Sequence, residues 1–94
     1  MSKTPVTVVH RPEGQTFETF VDGLRCMADY RREGNIVQMV HTVVPPQLEG
    51  RGIAAQLVEA ALKWIESEQL TVDPVCSYVQ LYLQRHPEWQ HLKV

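Results

Sequence analysis

The fold of this chain is decided at one stretch of sequence, VPPQLEGRGIA at residues 44–54. Before this stretch the apolar residues come in short β-branched runs, as in strands. After it they recur every three to four residues, as on one face of a helix. Gly50 and Gly52 permit a tight turn between the two patterns. The stretch therefore predicts a strand that runs through a loop into a helix.

The first half of the chain predicts an antiparallel meander of four strands. Short β-branched or alternating segments at residues 6–9, 16–21, 24–30 and 36–44 are separated by breaker-rich segments at 11–14 and 31–35. The dipeptide Asp22-Gly23 is typical of a tight hairpin. Residues 36–44 are almost continuously apolar, which predicts a central strand covered on both faces.

The second half predicts helix, short strand and helix. One helical stripe holds Ile53, Leu57, Ala61, Trp64 and Ile65, and the opposite face holds Gln56, Glu59, Lys63 and Glu66. Residues 70–72 suit a short strand. The second helix can begin at Asp73-Pro74 or at Ser77, both of which place Cys76 at its start, and Pro87 ends it near His86. We therefore expect an α+β (mixed α/β) fold: a meander, a helix, a short parallel strand and a C-terminal helix.

Composition limits the class of protein. A length of 94 residues predicts a single domain over residues 1–94, and nine Lys and Arg against eleven Asp and Glu argue against nucleic-acid binding. The chain has no apolar run of 18 residues for a membrane span and no signal-peptide segment, and its two cysteines and four histidines are too scattered to predict a metal site. We expect a soluble cytoplasmic protein, monomeric or a weak homodimer.

The junction itself predicts an anion site. A strand that enters a helix through a glycine loop exposes unpaired backbone N–H groups where the helix dipole is positive, and phosphate is a common occupant. Arg51 could add a charge-assisted contact. The alternative is that Gly50 and Gly52 only close a turn. A Walker loop is excluded because no Lys-Ser or Lys-Thr follows, and too little chain remains after Asp73 for a dinucleotide-binding fold.

Three further motifs accompany the junction: HTVVP at residues 41–45, PVC at 74–76 and RHPEW at 85–89. Together with the GRGIA turn, they resemble the GNAT superfamily of acetyl-CoA-dependent N-acetyltransferases. The sequence is most similar to that superfamily's very small YjdJ-like members, over roughly residues 15–90.

The resemblance implies that acetyl-CoA is the cofactor. Alignment on Gly52 and Ala54 makes residues 49–54 the pyrophosphate loop, with Glu49 where the superfamily carries Gln or Arg. The resemblance also implies that Val43 and Val44 offer backbone groups to the pantetheine arm, and that the thioester lies between His41 and Cys76. The expected coenzyme-binding residues are Val43, Val44, Glu49, Gly50, Arg51, Gly52, Ile53 and Ala54.

The expected activity is acetyl transfer to an amine acceptor that the sequence does not identify. A thiol at a helix N-terminus lies in positive potential, which favours the thiolate, so Cys76 could carry the acetyl group in a relay. His41 could instead serve as the base for direct transfer, and both routes stay open. The resemblance implies that Tyr82 stands where many superfamily members carry the tyrosine that protonates the departing thiolate. The alternative is that Tyr82 packs in the core with its hydroxyl at the surface. The alternative function is a non-catalytic acyl-CoA-binding or protein-interaction module.

Overall fold

The computed structural model describes residues 3–94, which form one five-stranded sheet with two helices. Neighbouring strands of the sheet follow chain order, the first four antiparallel and the last pair parallel, as the α+β prediction requires. The strands are β1 (Val9–Arg11), β2 (Thr16–Val21), β3 (Leu24–Glu33), β4 (Ile36–Val43) and β5 (Thr71–Pro74), and the helices are α1 (Ile53–Ser67) and α2 (Ser77–Arg85).

The predicted hairpin at Asp22-Gly23 is confirmed. Both residues have positive φ, 52° and 76°, the geometry of the two-residue turn that matches the twist of paired strands. Val21 and Leu24 close the β2–β3 ladder next to it. At the other end β3 continues to Glu33, so the turn into β4 is only two residues long, shorter than the predicted segment 31–35.

The first strand does not lie at residues 6–9 as predicted. β1 begins at Val9 and runs into a short 3-10 turn at Pro12–Gly14. The preceding segment bonds elsewhere: Thr4 N donates to Arg51 O at 2.9 Å and Val6 N to Gln56 Oε1 at 3.0 Å. Thr7 O in turn accepts from Thr19 Oγ1 of β2 at 2.8 Å, so side chains and the loop before α1 satisfy these backbone groups, and residues 3–8 form no strand.

β4 pairs with a strand on each side, but only one of its faces is covered. The prediction that both faces are covered is therefore wrong. Val37 and Met39 are fully buried, whereas Ile36 and Val43 are 40% and 41% exposed. α1 packs across β2, β3, β4 and β5, and α2 packs against α1, β4 and β5. The helices thus bury the side of β4 that carries Val37 and Met39.

Helix α1 confirms the predicted stripe. Ile53, Leu57, Ala61 and Ile65 are buried, and Glu59 lies 4.0 Å from Lys63 on the exposed face. Gln56 differs from the prediction, because its side chain turns back to the N-terminal segment.

The chain after α1 decides between the two predicted starts of the second helix. Asp73 and Pro74 belong to β5, opposite Gln38 and Met39, so a helix start there is wrong. The alternative is confirmed: α2 begins at Ser77, and Cys76 precedes it in extended geometry, φ −69° and ψ 131°. The helix ends at Arg85, before His86 and Pro87, as predicted.

His10 lies in a cluster of aromatic rings between the sheet and α1. Its ring stacks on Phe17 with centroids 4.1 Å apart, meets Trp64 edge-on at 4.6 Å, and places Nε2 2.6 Å from the Tyr30 hydroxyl. Burial lowers the pKa of His10 below its ordinary value, although the charge of Glu13 opposes the shift. The fold therefore favours the neutral imidazole.

This cluster predicts a pH-dependent stability. Because the folded pKa of His10 is below the unfolded value of about 6.5, the unfolded chain binds more protons as the pH falls through this range. The stabilisation is complete above the unfolded pKa and is lost on acidification. Between about pH 7.5 and 5.5 the wild-type Tm should fall further than that of His10→Gln. Every other ionisable group is present in both proteins, so equal slopes would contradict the prediction.

Two features are absent from residues 3–94. No helix among them is both long and apolar enough to span a membrane. No three His, Cys, Asp or Glu side chains in the same range are grouped as metal ligands would be.

Candidate active site

The central feature of the site is a gap between β4 and β5. Their parallel pairing ends at Met39 opposite Pro74, and one further bond joins Cys76 N to Met39 O at 2.8 Å. Pro74 has no N–H to extend the ladder, and the chain turns into α2 at Ser77 while β4 continues to Val43. Within the described chain, residues 40–43 therefore have no strand partner on the side away from β3.

A β-bulge sits where this gap begins. His41 pairs with Asp29 and Met39 pairs with Tyr30, so Val40 is an extra residue in β4. A bulge of this kind bends its strand and changes where the following side chains point. Beyond it, His41 lies on the same face as Asp29, and Thr42 lies opposite the fully buried Ala28, on the helix face.

Cys76 lies against Thr42. The half-buried thiol donates to Thr42 Oγ1 over 3.6 Å, whereas His41 is exposed on the other face of β4. Within residues 3–94 no hydrogen bond joins His41 to Cys76. The two residues expected to flank the thioester thus lie on opposite sides of β4 beside the gap. Thr42 was not singled out by the sequence analysis, although it stands inside the HTVVP motif.

The first turn of α1 is open to an anion. Gly50 and Gly52 both have positive φ, 81° and 74°, which only glycine adopts without strain. Gly52 is the N-cap, and no side chain caps the helix there. The backbone N–H groups of the first turn, those of Ile53 and Ala54 among them, therefore have no side-chain acceptor within residues 3–94. They lie at the positive end of the helix dipole.

An N-terminal latch, residues 4–6 held by Arg51 and Gln56, braces this loop. Arg51 Nε donates to Thr4 Oγ1 at 3.0 Å and Nη1 to Asp22 Oδ2 at 3.2 Å. Gln56 Nε2 donates to Thr4 O at 2.6 Å, besides accepting from Val6. The guanidinium that was expected to meet a phosphate is thus paired with Asp22, at the β2–β3 turn.

A cavity of about 190 Å³ lies between α1 and α2. It begins at the first turn of α1, next to the open N–H groups. Arg85 and His86, which line this cavity, belong to the RHPEW motif, and no role was predicted for either residue. The residues around the cavity are Ala55, Tyr78, Leu81, Tyr82, Arg85 and His86.

Tyr82 is held in this cavity wall. It is 6% exposed, and its ring stacks on His86 with centroids 4.0 Å apart. Burial raises the pKa of Tyr82 to about 12, and the negative charges of Glu59 and Glu88 act in the same direction. The hydroxyl therefore keeps its proton at neutral pH and can act as a hydrogen-bond donor.

The remaining expected residues border the gap and the loop. Val43 is 41% exposed at the end of β4, and the half-buried Val44 packs against the core. Glu49 is exposed just before Gly50, and its N–H donates to Pro46 O at 3.3 Å. The carboxylate of Glu49 therefore points away from the protein interior at the edge of the loop.

Comparisons with known proteins agree on the kind of protein. The sequence model of the family described as GCN5-related N-acetyl-transferase matches residues 16–92. Protein NATD1 from Mus musculus is 35% identical over 95% of this chain and 84% of its own length, and Protein NATD1 from Homo sapiens is 35% identical over 95% and 81%. A GCN5-like solution structure from Staphylococcus aureus superimposes with a TM-score of 0.75 over 94% of this chain and 87% of its own, at 21% identity.

Proposed function

From the premise that the chain belongs to the GCN5-related N-acetyltransferase family, we propose that it binds acetyl-CoA and moves the acetyl group to an amine. The observation that carries this proposal is the gap between β4 and β5, which opens beside the uncapped first turn of α1. An extended ligand with amide groups can use a vacant strand edge, and its phosphates can use the adjoining helix start.

The residues around the gap fit such a ligand. Backbone N–H groups after Gly52 would take the pyrophosphate, and the vacant edge at Val43 and Val44 would take the pantetheine amides. Because Arg51 is paired with Asp22, we assign an additional positive charge to Arg85, which lines the α1–α2 cavity. The open groups thus follow the order that a phosphate-and-amide chain requires.

When bound, acetyl-CoA supplies the acetyl group as an activated thioester. In direct transfer, the amine nitrogen would bond to the acetyl carbon and the carbon–sulfur bond of the thioester would break. His41 would take the proton that the amine loses. The proton on His41 is then available to the departing thiolate. Since the pKa of Tyr82 is well above about 8.5 for an ordinary thiol, this tyrosine stabilises the thiolate by donating a hydrogen bond.

A relay is the second route. Cys76 Sγ would take the acetyl group, and the proton of its thiol would go to the departing thiolate. The amine would then attack the acetyl-cysteine, the bond to Sγ would break, and a proton from the amine nitrogen would return to Cys76. The location of Cys76 at the start of α2, with its thiol in contact with Thr42 beside the gap, supports this route. The exposed His41 on the other face of β4 supports direct transfer, because it faces solvent and an incoming amine.

Binding is tested by thermal unfolding with and without acetyl-CoA. A ligand at 100 times its dissociation constant stabilises the folded state by about 2.7 kcal/mol, and in a domain of this size each kcal/mol raises Tm by about 4–8 °C. We therefore expect Tm to rise by about 10 °C or more. A Tm unchanged by millimolar acetyl-CoA would rule out the proposed coenzyme.

The two routes predict different masses. Under the relay, intact-mass measurement after incubation with acetyl-CoA should show one added acetyl group on the wild type, none on Cys76→Ala, and turnover lost in that variant. Cys26→Ala is the matched control, since Cys26 is fully buried in β3 and burial raises the pKa of its thiol. An unmodified wild type together with turnover retained in Cys76→Ala would establish direct transfer.

A non-catalytic acyl-CoA-binding module is the alternative function. The exposed carboxylate of Glu49 at the edge of the loop favours it, because the superfamily carries Gln or Arg there and a carboxylate opposes a phosphate. Acetyl-CoA binding with no release of free coenzyme thiol in the presence of amines would decide for this alternative.

A further inference from the structure

A second cavity, of about 170 Å³, opens on the face of the sheet that carries Asp29 and His41, at the bulge of β4. It is separate from the α1–α2 cavity and shares no lining residue with it. We refer to it as the outer cavity. Its lining residues are Gly14, Gln15, Asp29, Tyr30, Arg31, Val40 and His41.

One wall of the outer cavity is fixed by hydrogen bonds. Gln15, with a positive φ of 50°, accepts a hydrogen bond at its backbone oxygen from Tyr30 N at 2.9 Å. Its side-chain oxygen accepts from Arg32 N at 2.8 Å. The loop before β2 is therefore tied to β3, and this side of the cavity needs little reordering when a ligand binds.

The outer cavity reaches the gap between β4 and β5. Val40 lines the cavity, forms the bulge, and is the first residue of β4 after the paired segment ends at Met39. His41 stands beside it on the cavity side. A small molecule here would therefore lie next to the strand edge proposed for the thioester, but on the face opposite α1.

The outer cavity holds two opposite charges. Asp29 is half-buried and Arg31 is exposed, and they lie two residues apart on one face of β3, about 7 Å along the strand. Within residues 3–94 neither side chain forms an ion pair or a side-chain hydrogen bond. These two charges are thus available to a ligand that carries both signs at a similar spacing.

We infer that the outer cavity binds the acceptor, and that the acceptor is a small amine with a carboxylate near its amino group, an amino acid or a close analogue. Asp29 holds the ammonium group next to His41, and Arg31 holds the carboxylate. A volume of about 170 Å³ corresponds to about five or six water-sized groups, which suits a molecule of this size. The inference rests on the proposed acetyl transfer and adds its substrate class.

The test compares two acceptors of matched length, β-alanine and propylamine, which differ in the carboxylate. The release of coenzyme thiol from acetyl-CoA should have at least about a tenfold higher kcat/KM with β-alanine, because its carboxylate makes a charge-assisted contact with Arg31. Arg31→Gln should reduce the ratio of the two kcat/KM values to about one, and Asp29→Asn should lower both by about tenfold or more. Glu33→Gln is the control, because Glu33 lies on the same face of β3 outside the cavity. It should leave both kcat/KM values unchanged.

Acceptor binding is also measured without turnover, from NMR shifts of Asp29, Arg31 and His41 on titration with β-alanine. Transfer to both amines with no preference for β-alanine would overturn this inference and leave the proposed transfer standing. Shifts at these three residues without any thiol release would support the inference and overturn the transfer. If β-alanine causes no shifts at these three residues and is not preferred over propylamine, the outer cavity is not the acceptor site.

Discussion

Ala55→Phe is expected to weaken acetyl-CoA binding by at least about 100-fold while the protein stays folded. Ala55 is half-buried on the first turn of α1 and lines the cavity between α1 and α2. A phenyl ring would occupy the space beside the open N–H groups and displace any ligand chain there. Because the cavity holds about 190 Å³, the ring can enter it without the severe strain that an overpacked core produces.

Isothermal titration of acetyl-CoA measures this effect, and the circular dichroism spectrum reports whether the fold is retained. Ala60→Phe is the matched control, because Ala60 is also half-buried on α1 but borders a different cavity, with Val8 and Lys63. Its affinity for acetyl-CoA should stay within about threefold of the wild type, a difference of less than 1 kcal/mol. Wild-type affinity in Ala55→Phe would exclude the α1–α2 cavity as part of the coenzyme site.

Leu57→Ala is expected to lower the free energy of unfolding by about 2–5 kcal/mol, which is a large share of the total for a small domain. Leu57 is fully buried on the stripe of α1 that faces the sheet. Removing three buried carbons loses transfer free energy and leaves a cavity that close-packed neighbours fill only in part.

Urea unfolding monitored by tryptophan fluorescence measures the change. Val75→Ala is the control, because Val75 is 52% exposed, and its loss should cost within about 0.5 kcal/mol. An equal effect of the two substitutions would mean that α1 is not packed on the sheet as described.

The elements that depend on local sequence were predicted correctly. The turn at Asp22-Gly23 follows from two residues that tolerate positive φ, and the buried stripe of α1 follows from the spacing of Ile53, Leu57 and Ala61. The order of strands and helices was also predicted, because the hydrophobic period changes at residues 44–54, where the meander ends and the first helix begins.

Hydrogen bonds between segments that are far apart in the sequence could not be predicted from these local patterns. Gln56 has the spacing of a solvent-facing residue, yet its side chain binds the backbone of Thr4 and Val6, about fifty residues away. The same contacts hold the segment before Val9 against the start of α1, and residues 6–8 do not join the sheet. A hydrophobic period describes only which face of an element is apolar, so it says nothing about a polar side chain that binds a remote backbone.

For the candidate site, the sequence indicated which residues border the gap but not the faces on which they lie. Cys76 was placed at a helix start because Ser77 and Gln80 follow it at capping distance. The face of His41 depends on the extra residue Val40, and an inserted residue in a strand reverses the side chains that follow. No alternation pattern marks such an insertion in an almost continuously apolar run.

The N-terminal latch has a consequence for the order in which this protein folds. Its four hydrogen bonds join residues 47, 50 and 52 positions apart, so they close a loop of about fifty residues. The entropy of that closure is about 3–4 kcal/mol, and it is offset only after the meander and α1 have brought the two ends together. We therefore expect the loop at Gly50 to Gly52 to be braced late in folding, so that a partly folded chain presents the meander without this braced loop.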